Sequence, residues 1–219
     1  MTINTKKCNH ENYGGTRNST EYIVVHYTSN NGDTAKNNAD YFAREDVGAS
    51  AHFFVDETSV WSSVPENAVA WHCGSTAYAH PYCRNSNSIG VEICMNDKNG
   101  AVRQGSIDNA VTLVRELMAK YNIPAENVIR HYDVTGKNCP APMVSNPSLW
   151  TGFKNALKED GEEMVKRYNT VKECPDWAQE TVKFLVGRKF LNGDDGGLNL
   201  SEDMLRILVI LDRSGTFDN

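Results

Sequence analysis

Tyr22-Ile23-Val24-Val25-His26-Tyr27 is the run that decides the fold. β-Branched and aromatic residues fill it without a polar alternation, so it reads as a buried strand. It ends in Thr28-Ser29-Asn30-Asn31-Gly32-Asp33, a loop of turn formers. Thr34 to Arg44 follows with Ala35, Ala39, Phe42 and Ala43 on one side, the spacing of an amphipathic helix. Further strands are expected at Ala51-His52-Phe53-Phe54-Val55, at Val60-Trp61-Ser62-Ser63-Val64 after a turn at Asp56-Glu57-Thr58, and at Ile89 to Met95. Ser106 is expected to cap a helix whose apolar face is Val111, Val114, Leu117, Met118 and Tyr121. Val128-Ile129-Arg130-His131 reads as a short strand ending at His131, before a polar loop from Tyr132 to Pro147. Ser148 to Leu157 is expected to be helical, packing through Leu149, Trp150, Phe153 and Leu157. Strands and helices alternate without the regular connections of a Rossmann unit. The expected class is α/β, a mixed central β-sheet flanked by helices.

Near residue 160 the character changes. Lys158-Glu159-Asp160-Gly161-Glu162-Glu163 is a charged linker candidate. The division expected is 1–160 for the main domain and 161–219 for a small, mostly helical one. In the second part, Pro175 to Leu191 should be helical with Trp177, Thr181, Phe184 and Leu185 on one face. Ser201 should cap a last helix through Met204 to Leu211 that is apolar nearly all round and must bury against something, a second copy being one choice.

Composition excludes several classes. A net charge of −6 gives no support for nucleic acid as a partner. No run approaches 18 apolar residues, so membrane insertion is not expected. Six cysteines in 219 residues are too few for a disulfide scaffold, so free thiols or metal ligands are the expectation.

Three residues fit a metal centre. His26 and His131 each end an apolar strand, and Cys139 follows in the loop after His131. Imidazole and thiolate are zinc ligands, and three protein ligands leave a fourth position for water. Spacing alone leaves two packed core histidines and an inert thiol open as the alternative. Glu92 interrupts an apolar strand, where an unpaired carboxylate is costly, unless it faces solvent. Lys137, two residues before Cys139, reads on composition as a solvated loop lysine.

Five blocks then occur in order: Ile23-Val24-Val25-His26-Tyr27-Thr28, Ala49-Ser50-Ala51-His52-Phe53, Ala70-Trp71-His72-Cys73-Gly74, Ser88-Ile89-Gly90-Val91-Glu92-Ile93, and Arg130-His131-Tyr132-Asp133-Val134-Thr135-Gly136-Lys137-Asn138-Cys139-Pro140. Over about residues 20–157 the chain resembles the type 2 N-acetylmuramoyl-L-alanine amidases, which include phage lysins, autolysins and peptidoglycan recognition proteins. The resemblance implies one zinc ion (Zn2+) held by His26, His131 and Cys139. It implies cleavage of the amide joining N-acetylmuramic acid to L-alanine in bacterial peptidoglycan. It assigns Glu92 to proton transfer and Lys137 to the oxyanion, and gives Thr28, Trp71 and His72 contact with substrate. His52 is expected to be a structural hydrogen-bonding residue. Some relatives carry a tyrosine just before it; this chain has Ala51, which shifts the chemistry onto Glu92 and Lys137.

Two rival readings are a non-hydrolytic wall-binding module and a zinc peptidase. Both histidines and Cys139 favour an enzyme over the first, and the absence of His-Glu-x-x-His argues against the common helical form of the second. The N-terminus lacks an apolar stretch and so is no secretory signal. The expectation is cytoplasmic synthesis followed by holin-mediated release to the wall, as in a phage or prophage endolysin; a cytoplasmic muropeptide-recycling amidase is the alternative. The stretch after Tyr168 resembles short tails of Firmicutes prophage amidases, for which wall binding or self-association is expected.

Overall fold

The structure, a computed structural model, describes residues 2–158, 167–194 and 196–217. The chain divides into two compact units, Met1–Glu159 and Asp160–Asn219. The charged stretch Lys158 to Glu163 lies, after Lys158, outside the described residues.

In chain order the first unit contains β1 (Ile3–Thr5), β2 (Tyr13–Thr16), β3 (Tyr22–Tyr27), α1 (Ala35–Arg44), β4 (Phe53–Val55), β5 (Val60–Ser62), β6 (Ala68–Ala70), β7 (Ser88–Ile93), α2 (Gln104–Tyr121), β8 (Val128–Arg130), α3 (His131–Thr135), α4 (Ala141–Ser145) and α5 (Pro147–Lys158). Six strands form one sheet in the order β1-β5-β4-β7-β3-β8, and β2 pairs with β6 in a separate ribbon. Within the large sheet β4–β5 is antiparallel and every other pair is parallel, so the sheet is mixed.

One face of the sheet carries the main core. Ile23 and Val25 of β3, Phe53 and Val55 of β4, and Ile89, Val91 and Ile93 of β7 bury against Ile107, Ala110, Leu113, Val114 and Leu117 of α2 and Phe153 and Leu157 of α5. Each of the Val, Ile, Leu and Phe side chains among them stabilises the fold by roughly 1.5–3 kcal/mol. Because side chains alternate along a strand, the residues between them point to the opposite face. On β7 these are Ser88, Gly90 and Glu92, and on β3 they include Val24 and His26. α1 lies on this second side, where Ala35 and Ala39 pack with Ala51 and Phe54. Thr34 caps α1 by accepting the Asn37 N–H at 3.1 Å. The turn at Asp56 is built by its own carboxylate, which accepts N–H groups of Thr58 (2.8 Å), Ser59 (2.7 Å) and, from the start of α1, Ala35 (2.8 Å).

Several elements differ from expectation. α2 starts at Gln104, so Ser106 is a buried first-turn residue rather than the cap. Arg103 ends the preceding loop in an extended conformation, its N–H held by Met95 O at 2.7 Å and its guanidinium by Asp33 O at 2.8 Å. His131 does not end β8; it opens α3. The Asp133 carboxylate accepts the Arg130 N–H at 2.8 Å and binds the Arg130 guanidinium at 2.7 and 3.0 Å, which stops the strand and starts the helix. The loop expected over 132–147 thus carries α3 and α4. β1, β2 and β6 have no sequence signal: β1 is exposed at every position.

The second unit holds α6 (Asp176–Gly187) and α7 (Glu202–Arg213). Its core is Tyr168, Cys174, Ala178, Val182, Leu200, Leu205 and Val209. The buried face of α6 is Ala178, Thr181, Val182 and Leu185, so Trp177, expected inside, is exposed by one helical step. Ser201 caps α7 by accepting the Met204 N–H at 3.2 Å. α7 buries Leu205 and Val209 and leaves Met204, Ile207 and Ile210 exposed.

Candidate metal centre

Parallel register alone collects the candidate residues. β3 and β7 align His26 with Glu92, and β3 and β8 align Val25 with Arg130, which puts His131 one position beyond, level with His26. Three residues distant in sequence therefore meet at the carboxyl ends of adjacent strands, where open α/β sheets form their sites. Cys139 is returned to the same place by the segment after α3. Gly136 ends that helix with φ +80°, a conformation that suits glycine, and its N–H bonds Tyr132 O at 2.8 Å. The Tyr132 N–H bonds Cys139 O at 2.8 Å, closing the segment into a loop beside His131.

One ligand atom each from His26, His131 and Cys139 lies within 4.8 Å of the others, and all three residues are buried. Cys139 Sγ is 3.8 Å from His26 Nδ1, and Glu92 Oε1 is 3.9 Å from the same nitrogen. Buried polar side-chain atoms normally find partners. Here His131 Nδ1, Glu92 Oε2 and Thr28 Oγ1 are buried without one. Two imidazoles, one sulfur and an orphaned buried nitrogen are a donor set that suits zinc.

Burial dominates the electrostatics of the cluster. Burial, with His72, His131 and Lys137 adding repulsion, holds His26 well below the ordinary imidazole range. Burial, then the Lys137 charge, lowers His131 to about 4. Both rings are therefore neutral, the state that ligates. Burial pushes the Cys139 thiol up to about 12, with the Glu92 charge second. Burial likewise raises Glu92 to about 8, against the opposing pull of Lys137. The Glu92 side chain keeps 22% of its surface exposed, so it reaches the edge of the site rather than being sealed in.

Two cavities meet here. The larger, about 880 Å³, is lined by Thr28, Asp33, Tyr41, Glu92, Lys137 and Cys139, among others. The second, about 570 Å³, is lined by Trp71, His72, Asn85, His131 and Lys137. Lys137 is exposed and borders both. Trp71 is 37% exposed on the wall of the second. His52 lies outside the cluster: its Nδ1 accepts the Gly90 N–H at 3.0 Å and its Nε2 lies 3.1 Å from Ala68 O, which ties β7 to β6. His72, assigned by resemblance to substrate, has both ring nitrogens directed at protein atoms, His26 Nε2 at 3.0 Å and Ser88 Oγ at 3.2 Å. The small residues Ser88 and Gly90 within an apolar strand are the signal that could have found that contact. All six cysteines are free thiols, Cys73 and Cys83 included.

The mixed sheet thus brings together a buried His-His-Cys cluster that could hold a metal ion. The family profile of N-acetylmuramoyl-L-alanine amidase matches residues 16–142, more than half of the chain, and the protein belongs to that family. The amidase BlyA of Bacillus subtilis is 38% identical over 148 residues, covering 62% of this chain and 40% of BlyA. CwlL of Bacillus licheniformis is 39% identical over 145 residues, with the same coverage. The chain thus spans about two-fifths of the length of these relatives. Among solved structures, the catalytic domain of XlyA has a TM-score of 0.62 at 32% identity, covering 72% of this chain and 99% of that one. PlyL has a TM-score of 0.61 at 35% identity, covering 72% and 97%.

Proposed function

We propose that this protein is a zinc-dependent N-acetylmuramoyl-L-alanine amidase that hydrolyses the amide between N-acetylmuramic acid and L-alanine in bacterial peptidoglycan. The observation that carries the reading is the convergence of His26, His131 and Cys139 within 4.8 Å beside Glu92. Those three side chains would hold the ion, which when bound supplies Lewis-acid polarisation of a water and of the scissile carbonyl.

The remaining steps belong to the chain. Glu92 stands within reach of the cluster with one oxygen unpartnered. Burial raises this carboxyl in the metal-free site, and a cation held beside it would favour the ionised form, which can accept the attacking water's proton and pass it to the departing L-alanine amine. Lys137 brings a cation to the same cavity as Glu92, where negative charge builds on the carbonyl oxygen. Thr28 and Trp71, on the walls of the two cavities, are the proposed substrate contacts.

The relatives' names as N-acetylmuramoyl-L-alanine amidases, and a solved Bacillus subtilis endolysin with a TM-score of 0.63 at 32% identity, support a lysin acting on the wall. Among the described residues no helix is long and apolar enough to cross a membrane. We read 161–219 as a module for wall attachment or self-association, supported by the exposed Met204, Ile207 and Ile210 of α7. A chain ending at residue 158 that keeps both wall affinity and oligomer size would refute both roles.

The test of the activity is mass spectrometry of products from purified peptidoglycan, with and without chelator. The expected products are stem peptides with a free L-alanine amine and glycan with an unsubstituted lactyl group, lost on chelation. L-Alanine retained on the sugar would identify a peptidase, and intact wall carrying bound protein would identify a binding module.

A further inference from the structure

Glu92 shares its face of β7 with Ser88 and Gly90, and both of these touch His72. A Cβ added at Gly90 would lie 2.6 Å from His72 Cγ, so the imidazole occupies the space that glycine leaves. The backbone of His72 is pinned as well: Asn85 Oδ1 accepts its N–H at 3.2 Å and that of Cys73 at 2.8 Å. A ring is thus seated against the strand directly behind His26.

The hydrogen bonds of this ring have one consistent direction. Ser88 Oγ lies 2.6 Å from Arg84 O, a carbonyl that only accepts, so the single hydroxyl proton goes there. Ser88 Oγ then has only lone pairs for His72 Nε2 at 3.2 Å, and His72 Nε2 must carry the proton. In the neutral ring His72 Nδ1 is then an acceptor, and the hydrogen it accepts over 3.0 Å comes from His26 Nε2. His26 Nδ1, facing Cys139 Sγ and Glu92 Oε1, keeps a bare lone pair. The reverse direction fails because it needs a second proton on Ser88 Oγ.

We infer that His72 is a positioning residue that, backed by Ser88 and admitted by Gly90, holds His26 in the Nε2–H tautomer with Nδ1 free for a cation. Partners of this kind fix a ligand's tautomer and ring orientation, and their loss typically weakens metal affinity about 10–100-fold. The inference rests on the metal-site reading proposed above.

Two measurements on the full chain test it, with zinc alone as the probe. Long-range 15N–1H NMR of the metal-free protein should show His26 and His72 each protonated at Nε2; a proton on His26 Nδ1 would overturn the inference, and no variant is needed to see it. Chelator competition should then give zinc binding about 10–100-fold weaker for His72→Phe, and weaker again than the unchanged chain for Ser88→Ala and Gly90→Ala. His72→Asn, whose Oδ1 can accept from His26, and Ser88→Thr, which keeps the hydroxyl, should recover most of the affinity. Folded His72→Phe protein that binds zinc as tightly as the unchanged chain would refute the role. A chain with His26 in the expected tautomer that binds no zinc would instead refute the metal site and leave the relay standing.

Discussion

His26 and Glu92 face each other across the parallel pair β3–β7, with His26 Nδ1 3.9 Å from Glu92 Oε1. One register position thereby couples the candidate ligand to the candidate proton carrier. Replacing Glu92 with Gln keeps the shape and removes the exchangeable proton. Turnover on peptidoglycan should fall by about 10²–10⁴-fold, the usual worth of general acid–base catalysis. Zinc content by elemental analysis should stay at one per chain. Near-normal turnover would reject the role.

The same carboxyl shapes the stability of the metal-free protein. Its folded pKa, raised by burial to about 8, lies above the unfolded value of 4.5. Between those values the folded state holds the proton and the unfolded state releases it. The stability contributed by Glu92 is therefore full below about pH 4.5 and is lost as pH rises toward 8. Glu92→Gln should abolish that decline, so thermal unfolding of variant and parent should diverge steadily from pH 5 to pH 8 in the presence of chelator. Parallel melting curves across that range would contradict it.

Zinc loading should release protons. With the Cys139 thiol pushed up to about 12 and His131 down to about 4, the neutral-pH site presents bare imidazoles and a protonated sulfur. A thiolate ligand costs one proton, so apparent affinity should rise about tenfold per pH unit between pH 6 and pH 8. Calorimetry in buffers of different ionisation heat measures the count; at least one proton per ion is expected, and none would exclude Cys139 as a ligand.

Asp133→Ala should act at a distance from any substrate. Its carboxylate starts α3, the helix that His131 opens. Losing such a cap costs about 0.5–2 kcal/mol. Thermal unfolding should shift down by a few degrees, and zinc affinity should drop because His131 loses its fixed backbone. Unchanged affinity with lowered stability would separate the cap from the site.

Much of this architecture was legible in the residues. The continuous apolar run 22–27 and the alternation of Ile89, Val91 and Ile93 announce two buried strands, and the periodicity of 111–121 announces the helix that covers them. Local chemistry hid the rest. Asp133 turns a strand end into a helix start, Arg103 sets the start of α2, and β1 bonds only along an exposed edge where no pattern is imposed. The inward contacts of His72 depend on the space at Gly90, a three-dimensional vacancy that one-dimensional spacing does not record.

X-ray absorption at the zinc edge of the loaded protein tests the central claim most directly. The account predicts a four-coordinate ion with two histidine nitrogens at about 2.0–2.1 Å, one sulfur at about 2.3 Å and one light atom not supplied by the chain. A shell without sulfur, or a spectrum unchanged when Cys139 is replaced by Ser, would contradict it.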